Sequence, residues 1–234
     1  VDRILRVLGK DLVVGLPLGI GKPNPLVNAL YRRACDDRSI SLRLFTALSL
    51  EIPVAGSDLE RRFLGPFTER HFGKDYPSLQ YVRDLRQSSL PPNVTVSEFY
   101  LQSGAWLDVP HAQRNYISSN YTHVARDMRD MGVNLVLQMV AAEGDGASRR
   151  YSLSSNPAVT PDLLQILRRL PERRVLMVAQ VNEKLPFMTG DAEVASEFFD
   201  LIVDDRKHDF APFAPPRATV SIEEYAIGMH ASSL

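Results

Sequence analysis

The sequence predicts an α/β fold, a mainly parallel sheet covered by helices on both faces, and three observations carry that prediction. Residues 12–14, 135–141 and 174–181 are dominated by Val, Leu, Met and Ala in runs of strand length, the signature of buried strands. Segments with apolar residues at helical spacing separate them, so strand and helix signals alternate along the chain. The sharpest switch of period falls within residues 11–34, DLVVGLPLGIGKPNPLVNALYRRA, across a glycine-rich turn.

Taken in order, Leu12, Val13 and Val14 form the first strand, and Leu26, Leu30 and Ala34 recur at helical spacing after Pro25, a residue suited to a helix's first turn. Between them Gly15, Gly19 and Gly21 let the main chain approach a ligand or neighbouring backbone, and Lys22 places a positive charge beside a helix N-terminus. That is the chemistry of an anion-binding turn, with Asn24 as the helix cap in the purely structural alternative. Residues 40–50, ISLRLFTALSL, read as a second strand closed by Pro53. Asp58 opens a helical segment with Leu59, Phe63 and Phe67 on one face, which Gly65-Pro66 should divide into two short helices. Leu79, Val82 and Leu85 mark a helix within residues 76–87, and residues 94–101, VTVSEFYL, a strand.

Farther on, Asn120 caps a helix running to Met131, with Val124, Met128 and Met131 on its apolar side and Gly132 as its stop. The strand at 135–141 then turns at Glu143-Gly144-Asp145-Gly146, so residues 150–154 should return antiparallel. Thr160-Pro161-Asp162 is a helix start, with Leu163, Ile166, Leu167 and Leu170 as the buried face. After the strand at 174–181, the proline-rich residues 210–217, FAPFAPPR, read as an extended linker. Ser221 and Glu224 fit a capping box, and Ile222, Tyr225, Ala226 and Met229 would be the packed face of a last helix.

Two phosphate motifs fail at the first turn. A Walker A loop ending at Gly21-Lys22 would begin at Leu16, and Pro23 stands where its hydroxyl belongs. A dinucleotide fingerprint beginning Gly19-Ile20-Gly21 meets Asn24 at its third glycine position. No nucleotide cofactor is expected.

The string LGIGKPNPLVNAL instead resembles the opening of the acetyl-CoA hydrolase/transferase family. Asn120-Tyr121-Thr122, the stretch YSLSSNPAVTPDL from Tyr151, and NEKLPFMTGD from Asn182 followed by FFDLIVDD continue the resemblance in order. It implies a CoA-transferase-like domain at residues 1–220, with residues 221–234 a helix leading toward a second domain absent from this chain. The implied reaction moves CoA between a thioester and water or a carboxylic acid, through a glutamate in that second domain. Glu51, Glu98, Glu143, Glu183 and Glu197 do not match its motif, so no catalytic residue is assigned here and the chain alone should be inactive. The implied partners are an acyl-CoA, a small carboxylic acid and the missing catalytic domain, with self-association through an exposed apolar seam as a further expectation.

Ligands of parallel α/β sheets lie beyond the carboxyl ends of the strands. That selects Gly19, Gly21, Lys22 and Asn24 after the first strand, with Asn182 and Gly190 after the 174–181 strand, as residues of a substrate or CoA cleft. The rival reading is a module of the same fold that binds a small anion or carboxylate without chemistry. A longer reading frame carrying a second α/β domain would favour the enzyme.

Composition narrows the field further. Twenty-seven Lys and Arg balance 28 acidic residues, leaving no electrostatic footprint for nucleic acid, and pairs such as Arg32-Arg33, Arg61-Arg62 and Arg173-Arg174 read as solvated ends. The single cysteine, Cys35, has no pairing partner or activating neighbour. His71, His111, His123, His208 and His230 lack ligand spacing, so no metal is expected. No apolar run approaches the ~20 residues that span a bilayer. Cytoplasmic placement, without membrane contact, is the resulting expectation.

Overall fold

A computed structural model describes residues 1–170, 172, 174–216 and 219–233, apart from the side chain of Ala147. Arg173 of the paired arginines, Arg217 of the expected linker and Leu234 at the end of the expected last helix lie outside the described residues. Six parallel strands, β1 (Asp11–Leu18), β2 (Ser41–Ala47), β3 (Val94–Glu98), β4 (Leu135–Glu143), β6 (Leu176–Val181) and β8 (Leu201–Val203), run in the order β3-β2-β1-β4-β6-β8. Two short strands, β5 (Arg150–Ser152) and β7 (Glu193–Val194), extend the end of β4 antiparallel. The predicted turn after β4 thus gives the predicted hairpin, with Glu143 opposite Arg150.

Alternation along the strands builds two cores. Leu12, Val14 and Leu16 of β1 face a layer containing α1 (Asp2–Leu8), α2 (Asn24–Asp36) and α4 (Gln80–Arg86), through Ile4, Leu30, Tyr31, Tyr81 and Leu85. Val13 faces the opposite layer, where α6 (Val124–Asp130) and α7 (Thr160–Arg168) contribute Val124, Met128, Leu163 and Leu167. Each fully buried aliphatic side chain stabilises the fold by about 1.5–3 kcal/mol, and both layers are filled by them. Gly15 keeps this packing close, since a Cβ there would stand 3.2 Å from Val133 and 3.4 Å from the sulfur of Met128, and Val133 would have to give by a few tenths of an ångström.

Four local expectations require correction. The segment after Asp58 is one helix, α3 (Asp58–Phe72), with Pro66 inside it. Its first half lies on the surface, where water can satisfy the carbonyl that proline leaves unbonded, and Leu59 and Phe63 are each 79% exposed rather than packed. Asn120 is not a helix cap: its Oδ1 accepts from the Thr122 amide and hydroxyl in an Asx turn, and α6 begins only at Val124. Thr160 opens α7 without capping it, because its hydroxyl is drawn to Oε1 of Gln138 in the sheet. Finally, α8 (Ile222–Ser232) has the complete capping box but buries none of its residues, so its expected packed face is solvent-exposed here.

The proline-rich residues 210–216 form neither helix nor strand, and aromatic contacts fasten them to the end of α3 and to Tyr76 beyond it. Phe213 lies tilted against Phe72 at 4.8 Å between ring centres and Phe210 meets Tyr76 edge-to-face at 5.7 Å, while the Ala214 amide donates to the His71 carbonyl at 2.8 Å. A short α5 (Pro110–Arg114) completes the helices beside β3. Among the described residues no helix is long and apolar enough to cross a membrane.

Candidate functional site

The strand order reverses between β1 and β4: β2 and β3 lie to one side, β6 and β8 to the other. Such a switch point at the carboxyl ends of parallel strands is where open α/β sheets form ligand crevices. The ladder between β1 and β4 is short, pairing Val14 with Leu135 and Gly15 with Val136, and β1 is irregular between Gly15 and Leu18. The strands therefore part toward their carboxyl ends, and the predicted glycine turn leaves β1 at that opening.

A side chain from the 151–163 motif fills the gap. Asn156 donates from Nδ2 to the Leu18 carbonyl at 2.9 Å, and its own carbonyl accepts from Nε2 of Gln138 at 3.0 Å. A Cβ on Gly21 would lie 2.8–2.9 Å from the Asn156 side chain, closer than real contacts allow, so glycine is required there by Asn156. Gly19 has φ +56°, the left-handed conformation glycine tolerates, and turns the chain in a single 3₁₀ turn, Gly19–Gly21. Both glycines thus have a role in shaping the turn itself.

Lys22 departs from the expected geometry. Its ammonium points into the protein, 1% exposed, and donates to the carbonyls of Ala47 and Leu48 at the end of β2. Burial holds its pKa down at about 7, partly offset by the negative charge of Glu98. The positive charge is therefore spent on main-chain acceptors, and an anion in solvent does not meet it directly. Asn24 is the first residue of α2 rather than its cap, and its Nδ2 donates to the Pro77 carbonyl at 2.9 Å.

The turn after β2 is correspondingly constrained. Leu48 adopts φ +44°, a conformation a branched side chain resists, and persists only because its surroundings over-determine it. Its amide donates to the Tyr100 carbonyl at 2.8 Å, its carbonyl takes Lys22, and the Ser49 hydroxyl donates to Oε1 of Glu98 at 2.6 Å. Tyr81 closes the network, its hydroxyl 2.6 Å from the Ser49 hydroxyl. Burial raises the Glu98 carboxyl pKa, with Lys22 and Ser49 opposing the shift, and burial likewise raises that of Tyr81. The network orients backbone at the carboxyl edge; it offers no solvent-facing nucleophile.

On the other side of the switch point, Asn182 is fully buried, giving Nδ2 to the Phe210 carbonyl at 2.9 Å and accepting the Lys184 amide at 2.9 Å. Gly190 is exposed with φ +72° at the start of a 3₁₀ turn. The two halves of the predicted site do meet. Ile20 of the glycine turn packs into a small cluster with Leu185, Phe187 and Phe210. Glu98, Gln138, Asn156 and Gln180, which join strands, turns and α2 here, were not singled out as site residues. A signal existed for two of them: Gln138 and Gln180 are lone polar residues inside otherwise apolar strands.

No family model and no curated protein matches this sequence. Among solved structures, RipA from Yersinia pestis superimposes with a TM-score of 0.55 at 14% identity, over 98% of this chain and 46% of that one. A RipA variant gives 0.57 at 14% identity, over 99% and 46%. A 4-hydroxybutyrate CoA-transferase from Porphyromonas gingivalis reaches 0.43 at 13% identity, over 99% and 43%, too loose a fit to carry an argument. The chain shares the α/β fold of RipA, and it spans less than half the length of these structures.

Proposed function

We propose that the chain is the N-terminal part of an acyl-CoA hydrolase or CoA-transferase, contributing one wall of a cleft completed by a second domain. The observation that supports this most is the position of the family-like string LGIGKPNPLV: it lies at the switch point of the sheet, on the edge where α/β folds take ligands. In this reading Gly19, Gly21, Lys22 and Asn24 set the shape of the wall, and Asn182 and Gly190 set the loop beside it. The CoA thioester is a substrate, and no metal or nucleotide is invoked.

A second reading, a module that binds a small anion or carboxylate without chemistry, draws support from the burial of Glu98 and Ser49, which leaves their network at the carboxyl edge without a solvent-facing nucleophile. Thiol release from acetyl-CoA, measured on residues 1–234 and on a longer product of the same reading frame, separates the two. The enzyme reading expects CoA exchange with the longer protein and only background with residues 1–234. Turnover of about 1 per second or more by residues 1–234 alone would overturn the split site. A longer protein inert toward acyl-CoA would leave the binding module.

A further inference from the structure

A second recess lies beside the first turns of α2. It is an open recess of about 650 Å³ between α2, the segment before α4, the end of β8 and the residues after it. Cavities of ~300–1,000 Å³ are the usual size for small-molecule sites. Gln180 forms part of its floor. That side chain is 1% exposed, and its Oε1 accepts the Leu26 amide in the first turn of α2 at 3.1 Å. Its Nε2 is buried without a partner among the described residues. Buried amide donors are nearly always satisfied, so this one points to an acceptor that the folded chain does not itself supply.

The outer end of the recess has a different chemistry. Arg32 lines it, and among the described residues that guanidinium has no ion pair or hydrogen bond. His208 stands on the same lining, and no carboxylate among the described residues shares it. Pro25, Ala29, Pro77 and Val203 make the wall apolar. Pro25, Ala29 and Arg32 share one face of α2, and at 1.5 Å per residue Leu26 and Arg32 are separated along the axis by about 9 Å.

From this arrangement we infer that the recess binds an elongated small molecule with a neutral carbonyl-type acceptor at its inner end, an apolar middle and an anionic group at its outer end. The acceptor takes Nε2 of Gln180, the middle lies along Pro25, Ala29 and Val203, and the anion meets Arg32. A carboxylate and a phosphate monoester both meet the outer requirement. This site does not depend on the acyl-transfer reading.

The test uses 6-acetamidohexanoate, which joins an amide carbonyl to a carboxylate through a flexible hydrocarbon chain of comparable reach. Hexanoate lacks the inner acceptor and 6-acetamidohexan-1-ol lacks the anion. Amide NMR titration of the whole chain reads the Gln180 side-chain NH₂ directly, together with the Leu26 and Ala29 amides. The site predicts that the full probe moves these resonances and binds at least roughly threefold more tightly than either truncated compound, by the usual proportion between free energy and affinity. Arg32→Gln, a change at an exposed position, should erase the advantage of the carboxylate, and Gln180→Glu, which retains an acceptor for Leu26, should erase that of the amide. A phosphate-ended analogue then ranks the two anions. Equal binding by all three compounds, shifts confined to other regions, or an affinity unchanged in Arg32→Gln would overturn the inference.

Discussion

Two helices of this protein invert the relation between local signals and packing. α2 has no side-chain cap, yet Leu26, Val27, Leu30, Tyr31 and Ala34 are buried and its first turn is tied to Gln180 in the sheet. α8 has a complete capping box, Ser221 accepting the Glu224 amide and Glu224 accepting that of Ser221, and buries nothing. Tyr225 is 64% and Met229 73% exposed. A cap fixes where a helix begins and is worth about 1 kcal/mol, whereas a buried face contributes several times that and fixes the helix in the molecule. The difference teaches that α8 is specified as a helix without being held as part of this core.

The largest test of that contrast compares truncations on the two helices. Leu30→Ala should destabilise the fold by about 2–5 kcal/mol in denaturant unfolding. Ile227→Ala, on an exposed side chain, should stay within about 0.5 kcal/mol. A similar loss for both would show that α8 packs in solution. Next in size is Gly21→Ala, expected to destabilise by about 1–3 kcal/mol because the new methyl meets Asn156. Asn156→Ala introduced beside it should recover part of the loss, and failure of any recovery would remove the close-approach argument.

A pH titration sharpens the α2 side. Lys22 is held at about 7 in the fold and returns to 10.5 when unfolded, so between those values the unfolded chain binds the extra proton. Its contribution to stability therefore rises with pH across that window, by at most about 1.4 kcal/mol per pH unit. Below about 7 the ammonium is charged in both states and the burial penalty is complete. Glu98, with its pKa raised in the fold, acts in the opposite sense, its contribution falling as pH rises above its unfolded value, so the lysine has to be isolated by substitution. Lys22→Met should flatten the slope of stability against pH above 7; an unchanged slope would assign it to other groups.

The smallest expected effects concern α8. Ser221→Ala removes a cap normally worth about 0.5–2 kcal/mol to a helix, yet it should leave the midpoint of global unfolding unchanged and increase amide exchange only within α8. A cooperative fall in the midpoint would couple α8 to the core. The exposed Ile222, Tyr225, Ile227 and Met229 also predict concentration-dependent association in light scattering, which Ile227→Ser with Met229→Ser should reduce. A strictly monomeric wild type would reject the apolar-seam reading.

Burial and period together made β1, β4 and β6 legible, because strands buried on both faces must be apolar along their length. Residues 150–152 could be read as a returning strand for a related reason, the turn chemistry of Gly144 and Gly146. The candidate site was less legible. Its motif could be located in the sequence, but the orientation of Lys22 could not, because an ammonium beside a helix N-terminus can face water or main-chain carbonyls equally well on local grounds. Carbonyls 25 and 26 residues away decided the matter.

The sequence by itself determined the types of the longer elements, though not α1, α5, β7 or β8, together with the alternation that produces a parallel α/β sheet and the position of the capping box, since these depend on neighbours within a few residues. Tertiary structure alone decided that Gly21 makes room for Asn156, that Asn24 and Thr160 spend their side chains outside a cap, and that α3 passes through Pro66. It also left Nε2 of Gln180 without a partner at the base of a recess. The physical reason is range. Backbone dihedrals and caps are settled over one turn of chain, whereas the partner of a buried polar group is whatever the fold brings within about 3 Å, from any distance in sequence.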